Sequence, residues 1–396
     1  MMFSKHLPQQ ATQTFAVDYK DPKKYLWLIS VVAPMAAPLG PFLYLQTGNT
    51  QWLWVFLAFF YLGLPLLDMI FGEDTQNPPE SAVPQLENQR YYRGITYALV
   101  PIIAFGFFFN VIFLATQSLH WLHWLAVAIT TGSLLGFGLN LGHEMGHKKR
   151  QLDKTLALFT LSLGGYGHFS IEHNRGHHRH VATPEDPASS KMGENIYSFV
   201  FTEMPGGLFR AWRLEKERLA NLGLSAWSTQ NEILRCAALT GVMYSGLIAA
   251  FGWPMVPVLL VVGFWGAFQL TSANYIEHYG LLRQKQADGR YEICRPQHSW
   301  NSNHLVSNLV VFQLQRHSDH HAHPARSFQS LRDFPELPTL PSGYFGMFLV
   351  AYFPPLWFRI MNRRLIETVG GDSRKINFHP AKRNALMQRY AKLLSC

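Results

Sequence analysis

Six apolar stretches limit what this chain can become. They cover roughly residues 25–46, 51–71, 94–116, 121–141, 236–253 and 254–275, and Asp68 is the only charge in them. Each is about 20 residues or slightly longer, the length a helix needs to cross the core of a bilayer. Backbone in lipid must satisfy its own hydrogen bonds, which makes helix the predicted state. The fifth and sixth nearly touch and are predicted to turn at Gly252-Trp253-Pro254. The first contains Pro34, Pro38 and Pro41. Proline removes helical hydrogen bonds, so this segment is expected to be kinked or partly unwound.

The connections orient the bundle. Residues 46–51, 116–120 and 251–257 contain no Lys, Arg, Asp or Glu. The opposite side carries Lys20, Lys23, Lys24, Arg90, Arg93, Lys148, Lys149, Arg150 and a basic C-terminal tail. By the positive-inside rule both termini are expected in the cytosol. The net charge of +9 follows from the same bias, and no nucleic-acid partner is expected. Residues 1–24 lack an apolar core followed by a small-residue cleavage site and read as a cytosolic arm. Two shorter apolar stretches are expected to be re-entrant or interfacial. These are 156–166, with Gly164-Gly165, and 344–358, broken by Pro354-Pro355. Residues 204–235 mix charged and apolar positions and suggest a helix at the membrane surface. The predicted fold class is all-α integral membrane, with six transmembrane helices and a histidine-lined cytosolic cap. The predicted organisation is an arm over 1–24, a membrane domain with its cap over 25–361, and a basic cytosolic tail over 362–396.

All the histidine-rich motifs fall on the predicted cytosolic side. His143 and His147 lie in LGHEMGHKKR, and His173, His177 and His178 in IEHNRGHHRH. His278 lies in NYIEHYG, and His317, His320 and His321 in LQRHSDHHAHP. On an α-helix, residues i and i+4 share a face, so each motif can aim its imidazoles at one point. Nine imidazoles exceed the three or four protein ligands of a zinc site and suit two metals of intermediate softness. Glu144, Glu172, Asp186, Glu277 and Asp319 are predicted to hold imidazole N–H groups from behind. Cys236, Cys294 and Cys396 are isolated, so this chain has no cysteine-ligated iron site of its own, and its thiols suit a reducing compartment.

Two other readings compete. His143-Glu144-Met145-Gly146-His147 fits H-E-x-x-H, which in an intramembrane zinc protease would make Glu144 the general base. That reading leaves seven clustered histidines without work. A metal transporter would place its site near the bilayer midplane, whereas these histidines fall at helix ends.

The spacing of the motifs resembles the membrane di-iron superfamily, which includes fatty acid desaturases and hydroxylases. The longer strings NLGHEMGHKKR, IEHNRGHHRHVATPEDPASS, NYIEHYGLLRQ and LQRHSDHHAHPARSFQSLRDFP are similar to the four signature stretches of the bacterial membrane alkane 1-monooxygenases. The likeness runs from about Asp18 to near the C-terminus, and none of the nine histidines departs from the pattern. It implies two non-haem irons held by His143, His147, His173, His177, His178, His278, His317, His320 and His321. It implies O2-dependent terminal hydroxylation of medium-chain n-alkanes to 1-alkanols at the bacterial inner membrane. Electrons would come from NAD(P)H through rubredoxin reductase and rubredoxin. The chain has no paired cysteines for a rubredoxin, so the expected donor is a separate protein or one fused beyond Cys396. A fatty acyl desaturase or a hydroxylase of alkyl-aromatic methyl groups is the related alternative.

An apolar channel through the bundle is then expected, with Phe59, Phe60, Leu135, Phe264 and Trp265 as candidate walls. A basic patch of Lys148, Lys149, Arg150, Arg175, Arg179, Arg283 and Arg326 is expected to receive rubredoxin by charge attraction.

Overall fold

The computed structural model describes residues 18–395. Most of the arm assigned to 1–24, and Cys396, lie outside the described residues. The described chain is helical, with only isolated β-bridges. Six helices are long and apolar enough to cross a membrane: α1 (Leu26–Thr47), α2 (Trp52–Phe71), α3 (Arg90–Thr116), α4 (Trp121–Gly146), α7 (Glu232–Phe251) and α8 (Met255–His278). Between α4 and α7 come α5 (Gln151–Leu163) and α6 (Ile196–Asn221). After α8 come α9 (Tyr344–Tyr352) and α10 (Pro354–Thr368).

The bundle is centred on α4, whose apolar stretch is 83% buried, against 17% for α7 at the periphery. Glycines let α4 approach α8 closely. A Cβ at Gly132 would come within 2.6 Å of Trp265, and one at Gly136 within 2.8 Å of Gln269. Both α4 and α8 run beyond their predicted ends, which places His143 and His278 on the final helical turns at the same end of the bundle.

The unwinding expected of α1 is not found. Residues Ile29–Thr47 form one α-helix with all three prolines inside it. Pro41 leaves the Ala37 carbonyl without its helical donor, and the buried Asn110 of α3 donates Nδ2 to that oxygen at 3.4 Å. A neighbouring helix thus repairs the bond that proline removed.

The 344–358 stretch divides as its prolines suggest. Pro354 and Pro355 open α10, where a missing N–H costs nothing. The expected boundary at 361/362 falls inside α10, and residues beyond that helix pack back onto the domain. Ile376, Phe378 and Leu386 join Met192, Tyr279, Trp300 and Trp357 in a second apolar core. Asn377 and His379 exchange backbone hydrogen bonds with Met192, and Asn377 N–H also reaches Gly280. Fully burying one such apolar side chain contributes roughly 1.5–3 kcal/mol, enough to dock a tail whose exposed face is basic.

Candidate metal centre

The nine histidines come together, in two groups. His143, His147, His173, His178 and His320 have ligand atoms within 4.8 Å of one another, and so do His177, His278, His317 and His321. The groups adjoin, since the rings of His178 and His321 are 4.5 Å apart between centroids. Nε2 is the converging atom. The Nε2 pairs are 2.9 Å apart for His143–His320, 3.0 Å for His173–His178, 3.2 Å for His278–His317 and 2.9 Å for His317–His321.

Local geometry explains the division. Glu172–His177 is π-helical rather than α-helical. A π-turn brings residues five apart into register. His173 and His178 therefore share the first group, and His177 is turned into the second. The expectation that this motif aims three imidazoles at one point is corrected by that wider turn. In His317–Ala322, an α-helical turn, the i, i+4 pair His317 and His321 stays together while His320 faces the other group.

The donor set suits cations. Burial holds His147, His173, His178, His317, His320 and His321 well below the usual histidine range, and neighbouring imidazoles add to this. They are therefore neutral, with lone pairs available at neutral pH. The Nε2 atoms of His147 and His177 are buried without a hydrogen-bond partner. Five and four converging imidazoles, six of them held neutral by burial, are a fitting environment for two metal ions of intermediate softness.

The five carboxylates behave differently from one another. Asp186 Oδ2 lies 2.9 Å from His177 Nδ1, which leaves Nε2 facing the group. Burial opposes charge on His177, but the Asp186 carboxylate outweighs it and raises the imidazole above its ordinary range. Glu277 lies on the other side of its histidine, with Oε2 3.3 Å from His317 Nε2 and Oε1 accepting from the Tyr344 hydroxyl at 2.8 Å. Glu144, Glu172 and Asp319 do not take an N–H from any of the nine rings. Glu144 pairs with Lys148 at 2.9 Å and accepts from Phe328 N–H. This occupies the group that an H-E-x-x-H protease needs as its base. Glu172 pairs with Arg210, and Asp319 with Arg326 at 3.0 Å.

Arg210 is a residue that the motifs did not reveal. It is 6% exposed and donates Nη2 both to Asp186 Oδ1 at 2.7 Å and to Glu172. It lies far along the chain on α6, and no spacing marks it.

An apolar cavity lies between α4, α8, α9 and residues 311–314, and Phe137, Asn140, Gln269, Ala273 and Phe345 are among its walls. None of the five predicted channel residues lines it. Phe60 is one layer behind, its ring 5.7 Å from Phe137 and 4.7 Å from Phe345. Phe59 is half-buried and Leu135 is buried against Gly266. Trp265 donates to Ser133 Oγ. Phe264 is 53% exposed on the outside of the bundle, where an apolar side chain meets lipid. A lone amide in an apolar span was the signal that could have found Asn140 and Gln269.

Beside His147 and His178 a vestibule opens to the surface, lined by Lys148, Lys149, Lys154, Asn174, Arg175 and Arg235, among others. Lys149, Arg150, Arg175 and Arg179 are exposed. Arg283 and Arg326 are buried and correct the predicted patch. Arg283 is consumed by the carbonyls of Arg179, Val181 and Glu292, and Arg326 by Asp319 and Glu80.

Fold and site define a membrane-spanning helical protein with a paired histidine centre at one end of its bundle. The Fatty acid desaturase family model matches residues 118–351, more than half of the chain. "Alkane 1-monooxygenase" of Ectopseudomonas oleovorans is 51% identical over 95% of this chain and 94% of its own length. "Alkane 1-monooxygenase 1" of Alcanivorax borkumensis is 51% identical over 94% of this chain and 92% of its own. "Alkane 1-monooxygenase" of Pseudomonas putida is 51% identical over 95% and 93% respectively. The chain belongs to the fatty acid desaturase family of membrane proteins and, within it, to the alkane 1-monooxygenases.

Proposed function

We propose that this protein hydroxylates the terminal methyl group of medium-chain n-alkanes, using two irons, O2 and electrons from rubredoxin. The balanced reaction is R–CH3 + O2 + 2 e⁻ + 2 H⁺ → R–CH2OH + H2O. The observation that carries it is the convergence of nine imidazoles in groups of five and four, near an apolar cavity whose walls include Asn140 and Leu314, three residues before His143 and His317. Two bound irons would supply the activation of O2 that an unactivated C–H bond demands, chemistry beyond any side chain. His143, His147, His173, His178 and His320 would hold one, and His177, His278, His317 and His321 the other.

The chain's own residues do the rest. Asp186 fixes the His177 tautomer by taking Nδ1–H. Phe137, Ala273 and Phe345 keep water from the approach to the histidines. Internal C–H bonds are weaker than terminal ones, so selectivity comes from shape: a narrow cavity presents the chain end first. The substrate partitions into lipid and enters from the bilayer. The termini and the centre face the cytosol of a bacterial inner membrane, as the positive side of the connections indicates. Lys149, Arg150 and Arg179 are exposed cations available to an acidic donor protein, while Arg175, on the vestibule wall, is already paired with Glu215 at 3.2 Å.

The deciding experiment couples metal content to turnover. The purified protein in nanodiscs is analysed for iron and zinc, then given an n-alkane, O2, NADH, rubredoxin and its reductase. About two irons per chain and a 1-alkanol product are expected. Two irons with an unsaturated acyl product would move the reading to the desaturases. One zinc with peptide cleavage lost in Glu144→Gln would replace it with the protease.

A further inference from the structure

One side of the vestibule beside His147 and His178 is built by two helices that carry none of the nine histidines. The vestibule has a volume of about 570 Å³, and Lys154 and Leu158 of α5 face it together with Arg235 and Cys236 of α7. The two helices enter the bundle side by side. Thr240 Oγ1 of α7 donates to the Ser162 carbonyl at 2.7 Å, and the Tyr244 hydroxyl to the Leu163 carbonyl at 2.9 Å. The C-terminus of α5 is therefore held against the middle of α7. Lys154 precedes Ser162 by eight residues and Arg235 precedes Thr240 by five, about 12 and 8 Å along their helices. Both cations thus stand at the same end of the groove. That end lies at a bilayer surface, because the exposed Trp227 and Trp253 bracket α7 where indole rings mark the two edges of a membrane.

The charges around the vestibule are not equally engaged. Lys148 pairs with Glu144 at 2.9 Å, and Arg175 with Glu215 at 3.2 Å. Glu232, the carboxylate of this wall, lies 3.9 Å from Arg175. Lys154 and Arg235 are exposed, and among the described residues neither forms an ion pair. The first turn of α5 adds to them, since it has no side-chain cap and its N–H groups form the positive end of the helix. Asp153, the acid of that turn, is turned away and accepts from the Tyr97 hydroxyl at 2.6 Å. Asn174 Oδ1, in the same vestibule, is buried without a partner and can accept from a hydroxyl. Beyond Arg235 the apolar stretch of α7 is only 17% buried by the protein, so acyl chains lie against it. An anion attached to those chains is the one this geometry brings to Lys154 and Arg235. Basic pockets between membrane helices bind anionic lipid headgroups in this way.

We propose that Lys154 and Arg235 bind the phosphodiester of an anionic phospholipid, whose headgroup covers the vestibule that leads to His147 and His178. A glycerol headgroup, as in phosphatidylglycerol, also brings hydroxyls for Asn174. The lipid closes the aqueous opening to the histidines from the membrane side. The site stands or falls independently of the reaction at the histidines.

The test measures lipid, without metal or turnover. Full-length protein is reconstituted in nanodiscs of equimolar phosphatidylcholine and phosphatidylglycerol, then transferred to detergent, and the lipid it retains is identified by mass spectrometry. Phosphatidylglycerol is expected to be enriched. Lys154→Gln and Arg235→Gln are each expected to lower the enrichment roughly five-fold, the scale of one cation near a membrane surface. Lys216→Gln removes an exposed cation of α6 outside the vestibule and is expected to leave it unchanged. No enrichment in the wild type, or an equal loss in Lys216→Gln, would overturn the site. Displacement of the lipid by excess inorganic phosphate would assign the cations to a free anion and overturn the lipid. Coverage is read separately, by diethyl pyrocarbonate labelling of metal-free protein. His147 and His178 are expected to react several-fold more slowly in phosphatidylglycerol nanodiscs than in phosphatidylcholine, and equal rates would refute a headgroup over the opening. Unchanged lipid retention in Lys154→Gln and Arg235→Gln, with a raised KM for rubredoxin, would give this wall to the donor protein instead.

Discussion

Glu277 Oε2 lies 3.3 Å from His317 Nε2, the same nitrogen that His317 turns toward His278 and His321. The carboxylate therefore faces the interior of the four-histidine group rather than bracing an imidazole from behind. An anionic oxygen there offsets cationic charge that neutral imidazoles leave uncompensated. Glu277→Gln is expected to weaken metal binding at this group by about 10–100-fold, the usual scale for a lost partner of a metal ligand. Metal analysis should then fall from about two ions per chain toward one. Two ions retained at wild-type affinity would reduce Glu277 to a partner of Tyr344.

Arg210 acts on the same group from outside. It holds Asp186 Oδ1 at 2.7 Å while Asp186 Oδ2 fixes His177. Removing one partner of a buried charged pair leaves the other exposed to desolvation, a cost of about 3–5 kcal/mol. Arg210→Met is expected to lower both thermal stability and iron retention. Asp186→Asn, which keeps the shape but not the charge, should change the electronic spectrum of the iron-loaded protein with a smaller loss of stability. Identical spectra for wild type and Asp186→Asn would sink this coupling.

Donor docking should separate exposed from buried cations. Lys149→Glu and Arg150→Glu are expected to raise the KM for rubredoxin several-fold at low salt. The difference should shrink as salt rises through the screening range near 0.1 M. Arg283→Ala should instead lower stability, since its guanidinium is spent on three carbonyls. Equal effects at high and low salt would argue against charge-steered docking.

Glu203 gives the fold a pH dependence away from the histidines. Burial raises its carboxyl to about 7, against hydrogen bonds from Thr271 at 2.6 Å and Asn274 at 3.0 Å. The folded state therefore holds a proton that the unfolded chain releases near its ordinary value of 4.5. Stability is lost as pH rises from about 4.5 to about 7 and is flat above, a change on the order of 3 kcal/mol. Glu203→Gln, which stays neutral, should melt above wild type at pH 8 and close to it at pH 5. A melting difference independent of pH would refute the assignment.

Phe60 supports the cavity through Phe345, 4.7 Å away. Phe60→Ala should let Phe345 relax outward and lengthen the accepted alkane. Product profiles over a chain-length series measure this, and an unchanged profile would remove Phe60 from the path.

The sequence by itself determined the six spans and the two helices that carry histidines to one end, because apolar length and i, i+4 spacing are local properties. The likeness of its four histidine strings to known enzymes fixed the family. Tertiary structure decided what local spacing cannot. The π-turn over Glu172–His177 sends His177 away from His173 and His178, and only its packing against His278 and His321 makes that useful. Glu277 adjoins His278 in the chain and Asp186 follows His177 by nine residues, yet Glu277 faces the group at His317 and Asp186 braces His177 from behind. Arg283 and Arg326 look like surface charges until the carbonyls and carboxylates that bury them arrive from distant segments. Gln269 is a lone amide on an apolar helix until the Tyr352 hydroxyl arrives to accept from its Nε2. Each of these depends on contacts between residues far apart in the chain, which no periodicity records.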